Sequence, residues 1–264
     1  IEAVAEREVS KMALERAKRS LLDYIAVTTA GAKANESKLM KYFIDADPEL
    51  GNSTLIGMDK KTNLKEAVFL NGLNAHALDL DDGTNTGIIH LGSPIFSVLI
   101  PLAEKHCISI DRMLRAAIIG YETSFAMAVS IQPKHKAMGY HATGTCGVLG
   151  IALAVAYMLD FSSSERRNAF AIAAVSATGM LKVLDDESEL KPYNVAKSAL
   201  LGLIATQMAK AEFVGHHDVL GGDRGYLKMM TGTEQMELCE PLLDGTYAIE
   251  KSYTKPYAAC RYCH

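Results

Sequence analysis

The chain has 264 residues, enough for one large or two small domains, with 49% apolar and 22% charged residues and a net charge of −4. That composition excludes a disordered chain, and the charge leaves no basic footprint for nucleic acid or an acidic membrane surface. Five cysteines, an odd number scattered along the sequence, argue against a disulfide framework and for a reducing, cytoplasmic setting.

In chain order the periodicity is helical almost throughout. Residues 4–30 form an amphipathic charged segment unlike a signal peptide, with Val9, Met12, Ala13, Leu21, Leu22 and Ile25 at helical spacing and a stop at Gly31. Residues 52–58 could form one short extended piece. Helices are predicted near 36–46, 64–80, 94–106, 111–130, 144–159, 163–181, 194–213 and 222–231. Pro94 fits a first helical turn, Ser109 and Asp111 offer caps, and Ser162 to Glu165 reads as a capping box. The most apolar run, 147–161, is Ala-rich and too short to span a bilayer. These features predict an all-α protein, a compact multi-helix bundle over residues 1–240. From about 241, β-branched and aromatic residues replace Ala and Leu, which predicts a strand or two opening a second domain.

Residues 72–94, GLNAHALDLDDGTNTGIIHLGSP, carry the strongest chemical signal. An apolar helical stretch runs into Asp79, Asp81 and Asp82, and a Gly/Thr/Asn loop then leads to His90. Acids at the end of a buried helix are costly unless paired or put to use. An isolated DLDD would be read as Asp79 capping the next segment with Asp81 and Asp82 solvated; between two apolar stretches, a site is favoured. A second candidate is Gly139–Gly147, where small and hydroxyl residues precede an apolar helix whose free N–H groups suit an anion, with His141 beside them. A third is Lys191, ahead of the helix from Asn194, which gains meaning if the ligand is a polyacid. The tail holds Lys255, Cys260, Arg261, Cys263 and His264. Its literal C-x-x-C-H would attach haem only in an exported protein, and a closed zinc site would need a fourth ligand. His216-His217-Asp218, between Gly215 and Gly221, reads as polar residues on a surface loop.

Together, HALDLDD, the following HxGxP, GYEx, GYHATGTCG, the KP segment and KPYxxCRYxH resemble the MmgE/PrpD family in their order and over essentially the whole chain. The resemblance implies a large helical domain with a smaller α+β lid domain, here 1–240 and a start at 241–264. It further implies a dimer, and a cleft that uses no metal or organic cofactor. The matching catalytic positions are Asp79, His90, His141, Lys191 and Lys255; Asp82, Thr84, Thr143, Cys260 and Arg261, in the same motifs, are candidate substrate contacts. Three departures stand out. Gly83 follows the aspartate pair where family decarboxylases and dehydratases typically have Thr, with Thr84 one step later; His90 lies one residue further on than in the decarboxylases; and Cys260 stands where the decarboxylase-like tail carries a histidine. The family also extends well over a hundred residues beyond position 264.

The implied function is acid/base chemistry next to a carboxylate of a small di- or tricarboxylic acid, giving an epimer, an alkene or a decarboxylated acid. Lys191 and Lys255 would hold carboxylates and Asp79 would orient a histidine, with base and acid unassigned between His90 and His141. The alternative is a catalytically silent helical module that dimerises through its Ala-rich faces.

Overall fold

The structure is a computed structural model that describes residues 9–46, 51–186, 188–233 and 245–258. It is a helical bundle with one two-stranded ribbon among the described residues. Helix α1 (Lys11–Ala34) is capped by the Ser10 hydroxyl, which accepts from Ala13 N, and α2 (Glu36–Ala46) follows directly. Only Ser53–Thr54 of the expected extended piece forms a strand (β1), paired antiparallel with β2 (Lys61–Thr62). Then come α3 (Leu64–Ala75), α4 (Gly92–His106), α5 (Ile110–Ile131), α6 (Lys134–Ala137), α7 (Ala142–Thr145), α8 (Gly147–Met158), α9 (Ser163–Val175), α10 (Lys191–Lys210) and α11 (Tyr226–Thr231).

The apolar α8 is the central rod. Nearly every one of its residues is buried, and it packs against α5, α9 and α10. Helix α3 lies between α1, α4 and α10. Ser109 caps α5, accepting from Arg112 N at 3.3 Å. The Ser162–Glu165 capping box closes α9 at both contacts, 3.3 Å and 2.7 Å. None of the described helices is long and apolar enough to cross a membrane.

Four differences from the sequence reading matter for the site. Helix α1 continues past Gly31, which is no stop signal. A Cβ there would lie 1.9 Å from Asn74 O, so the glycine lets α1 approach α3. Helix α3 ends at Ala75 and leaves the whole acidic motif in an irregular segment, 76–91. The predicted helix over 144–159 is split at Cys146 into α7 and α8.

In the tail, residues 245–258 form a 3-10 turn, Ala248–Lys251, and a single bridge from Tyr253 to Gly83 rather than a strand of a new sheet. Tyr247, Ala248 and Ile249 are buried in the bundle core. The Ser10 hydroxyl donates to Glu250 Oε1 (3.0 Å), and Arg16 donates to Ser252 O. The tail is thereby laid along the bundle so that Lys255 reaches the 76–91 segment.

Because Asn74 O is backbone and cannot rotate away, Gly31→Ala forces α1 off α3. Overpacking of this kind costs about 1–3 kcal/mol, which urea denaturation should register as a lower midpoint with an unchanged slope.

Candidate active site

Segment 76–91 runs from the end of α3 to the start of α4, and its three aspartates point in three directions. Leu91, the N-cap of α4, has no side chain able to cap. The carboxylate of Asp82 substitutes, accepting from Gly92 N (2.8 Å) and from the Tyr121 hydroxyl (2.5 Å). Asp81 accepts from the Ser93 hydroxyl (2.6 Å), also in the first turn of α4, and from His76 Nδ1 (2.7 Å). Both carboxylates thus sit at the positive end of the α4 dipole. Asp79 turns the other way, with its backbone at φ 52 in the left-handed region, a conformation Asp tolerates better than most residues.

Asp79 is shared by two lysines. Lys255 Nζ donates to Oδ1 (2.7 Å) and to the Asp79 carbonyl (2.6 Å), while Lys191 Nζ donates to Oδ2 (2.8 Å). Lys255 has a fully buried side chain, and Lys191 opens α10 immediately before Pro192. Burial by itself would raise the Asp79 carboxyl; the His76 ring, Lys191 and Lys255 outweigh it and hold it down at about 2. One carboxylate against two ammonium groups leaves a local excess of positive charge.

The two cleft histidines are held in opposite ways. His90 Nδ1 donates to Asp82 O (2.9 Å) and lies 3.4 Å from Asp81 Oδ2, and its backbone N–H donates to Thr143 Oγ1 (3.1 Å). The proton therefore sits on Nδ1, and the lone pair is at Nε2, 3.8 Å from Asp79 Oδ1. His141 is the reverse. The Asn194 amide is oriented by Lys197, which donates to its Oδ1 (3.3 Å), and by Met180 O, which accepts from its Nδ2 (3.4 Å). That Nδ2–H points at His141 Nδ1 (3.3 Å), so the ring proton is on Nε2. Burial first, then the neighbouring rings of His76 and His90 and the Lys191 charge, push His141 well below the usual histidine range, so it is neutral.

Asp79, His90, His141, Lys191 and Lys255 all line one open cleft of about 720 Å³, together with Thr84, Tyr140 and Tyr253. The other predicted contacts behave differently. Thr84 faces the cleft, but its hydroxyl accepts from Gly87 N (3.1 Å) and closes its own loop. At Gly83 a Cβ would meet the Tyr253 hydroxyl at 2.9 Å and Ile89 O at 3.0 Å, so the position has no room for a side chain unless its neighbours shift. Asp82 and Thr143 are buried behind the cleft and hold α4 and His90, while Cys260 and Arg261 lie outside the described residues. The expected row of free N–H groups at 142–147 is reduced, because Gly144 donates to His141 O and Cys146 to Ala142 O.

Sequence reasoning did not single out His76 or Asn194. Both are buried, and in an apolar stretch a lone polar residue has the appearance of satisfied core. His76, Asp79, Asp81 and His90 bring potential ligand atoms within 4.8 Å of one another, a spacing a cation could use. The ammonium groups of Lys191 and Lys255 on both oxygens of Asp79 oppose a cation there and favour an anion.

The MmgE/PrpD N-terminal domain matches residues 1–239 of the sequence. The chain belongs to the MmgE/PrpD family. It is 28% identical to a cis-aconitate decarboxylase-like protein of Aspergillus oryzae over 227 residues, covering 83% of this chain and 46% of that protein. Against human cis-aconitate decarboxylase the identity is 27% over 224 residues (81% and 45%), and against that of Aspergillus terreus 27% over 276 aligned positions (99% and 56%). The chain thus spans about half the length of the curated relatives it matches.

Removing the shared carboxylate leaves two ammonium groups facing each other, one of them fully buried. Asp79→Ala should destabilise the fold by about 3–5 kcal/mol at neutral pH. Because the folded-state pKa is depressed, this contribution is present above the ordinary aspartate range of about 4 and is lost as pH falls towards about 2. Denaturation of wild type and variant should therefore converge on acidification.

Proposed function

We propose that the chain is an acid/base enzyme of the lyase or isomerase type, acting on a small di- or tricarboxylic acid without a metal or organic cofactor. The observation that carries this reading is the opposed pair of histidines on a cleft with excess positive charge. His90 Nε2 offers a lone pair and His141 Nε2 a proton, while Lys191 and Lys255 suit carboxylates. The relatives named as cis-aconitate decarboxylases favour a carboxylic acid as substrate and a lyase as reaction class.

In the proposed sequence a substrate carboxylate binds Lys191 and Lys255 in competition with Asp79. His90 Nε2 removes a proton from the adjacent carbon, and the electron pair moves onto the carboxylate as an enediolate. The lysines and the His141 N–H stabilise the developing charge, which is worth most in a site that excludes water. Return of a proton to the opposite face gives the epimer, and expulsion of a neighbouring hydroxyl gives an alkene and water. A decarboxylation would need no prior loss of the C–H proton: the C–CO2 bond breaks, its own electron pair stays on carbon, and a proton from the His141 ring quenches it. The reading places the enzyme in the cytoplasm as a homodimer; the unpaired, exposed thiol of Cys107 fits a reducing compartment.

Incubation in D2O with citrate, 2-methylcitrate, cis-aconitate and an imino diacid derived from aspartate, followed by proton NMR, tests the proposal. Deuterium exchange or turnover of at least one acid is expected, falling by about 10²–10⁴ in His90→Gln. Lys191→Ala should weaken binding as well as rate. Exchange that survives in His90→Gln would remove that residue as the base, and silence with every acid would refute the reading for this chain.

A further inference from the structure

Behind His90, away from the open cleft, lies an arrangement that the proposed chemistry does not use. His76, the C-cap of α3, is fully buried, and its ring meets that of His90 edge-on with centroids 4.4 Å apart. Its Nδ1 is 2.7 Å from Asp81 Oδ1, and its Nε2 is buried without a partner among the described residues. The other oxygen of Asp81 faces the Ser93 hydroxyl at 2.6 Å and His90 Nδ1 at 3.4 Å. Three donors thus converge on a single buried carboxylate, an acceptor-only group when ionised.

Desolvation pushes His76 down to about 4, so it is neutral. The same burial would raise the Asp81 carboxyl, but the fields and hydrogen bonds of His76 and His90 overcome it and hold it well below the ordinary range. A neutral imidazole donating from Nδ1 is also the only state of His76 that leaves a bare lone pair at the unpartnered Nε2. An unmet buried acceptor carries a cost of about 1–3 kcal/mol, tolerated where the other nitrogen does something specific. The further ionisable groups near Asp81 and His90 are Asp23, Asp82, Asp79, Lys191 and Lys255.

We propose that Asp81 and His76 are positioning residues for His90: His76 keeps Asp81 an acceptor, and Asp81, with the Asp82 carbonyl, keeps the His90 proton on Nδ1 and the lone pair on Nε2. This rests on the reading of His90 as the base, but its test does not require turnover. In His76→Leu the buried Asp81 loses its closest nitrogen donor and takes up a proton from solvent. The new O–H donates to His90 Nδ1, and the ring proton relocates to Nε2. The Asp82 carbonyl still favours the original tautomer, so a mixture results. In His76→Asn the side-chain amide supplies an N–H in place of Nδ1, and the wild-type state is retained.

Long-range proton–nitrogen NMR of the imidazoles reads the tautomers directly. Wild type and His76→Asn are expected to show His90 as the Nδ1–H form, and His76→Leu a substantial Nε2–H population. The His135 signals, from a ring held by Met230 O and Thr145 Oγ1, should be unchanged in all three and report an intact fold. Where an acid turns over, kcat should fall at least about tenfold in His76→Leu with little change in KM, and recover in His76→Asn. A His90 pattern identical in His76→Leu and wild type, with the fold intact, would overturn the proposal. Should no acid react even with wild type, the acid/base reading fails while the tautomer comparison still decides the positioning role. Loss of the His135 signals in His76→Leu would also count against it, showing that His76 serves the fold rather than His90.

Discussion

The Asp79 carboxylate between two lysines is the constraint on which the site depends. Its partners come from distant parts of the chain: Lys191 from the first turn of α10 and Lys255 from the tail that packs back along α1. Without that anion neither ammonium group could stay where it is, since Lys255 is fully buried and a lone buried charge is expensive. The interaction therefore does two things at once. It fastens the irregular 76–91 segment, α10 and the tail together, and it leaves the cleft with one positive charge more than Asp79 neutralises. In the proposed reaction a substrate carboxylate would exploit that excess without the protein having to hold an unpaired cation beforehand.

Much of the helical framework was legible because it is written in local signals. Ser109 and Ser162 sit at N-caps, Glu165 completes its box, and the apolar α8 could only be a buried helix. What local signals could not show was how helices end against one another. Gly31 has the chemistry of a terminator yet serves as a contact point with Asn74, and α3 stops five residues before its apolar pattern does. The tail was read as strand from its β-branched and aromatic residues, but the burial of Tyr247 and Ile249 against the bundle decides its path instead.

The site divides in the same way. Residue type and motif order named five of the side chains that line the cleft, because charged and titratable groups in an apolar context stand out. Direction is a different matter. Asp79, Asp81 and Asp82 are chemically identical in the sequence, yet one faces the cleft, one a buried histidine and one the open end of α4. Only the left-handed turn at Asp79 and the uncapped start of α4 separate them, and neither is visible in composition or spacing. Thr143 was misplaced for the same reason, since its hydroxyl turns to the His90 backbone rather than to the cleft.

The division of labour between the histidines follows from these second partners rather than from the rings. Both are imidazoles lining the same cleft, and free in water each would sample both tautomers. A backbone carbonyl accepting from His90 Nδ1 and an amide N–H donating to His141 Nδ1 remove that freedom in opposite senses. The protein thereby turns a ring lone pair of His90 and a ring N–H of His141 to the same cleft. That is the requirement of a reaction in which a proton leaves carbon as negative charge grows on a neighbouring carboxylate. Changing Asn194, His76 or Ser93 would alter the proposed chemistry while leaving every cleft-lining residue in place.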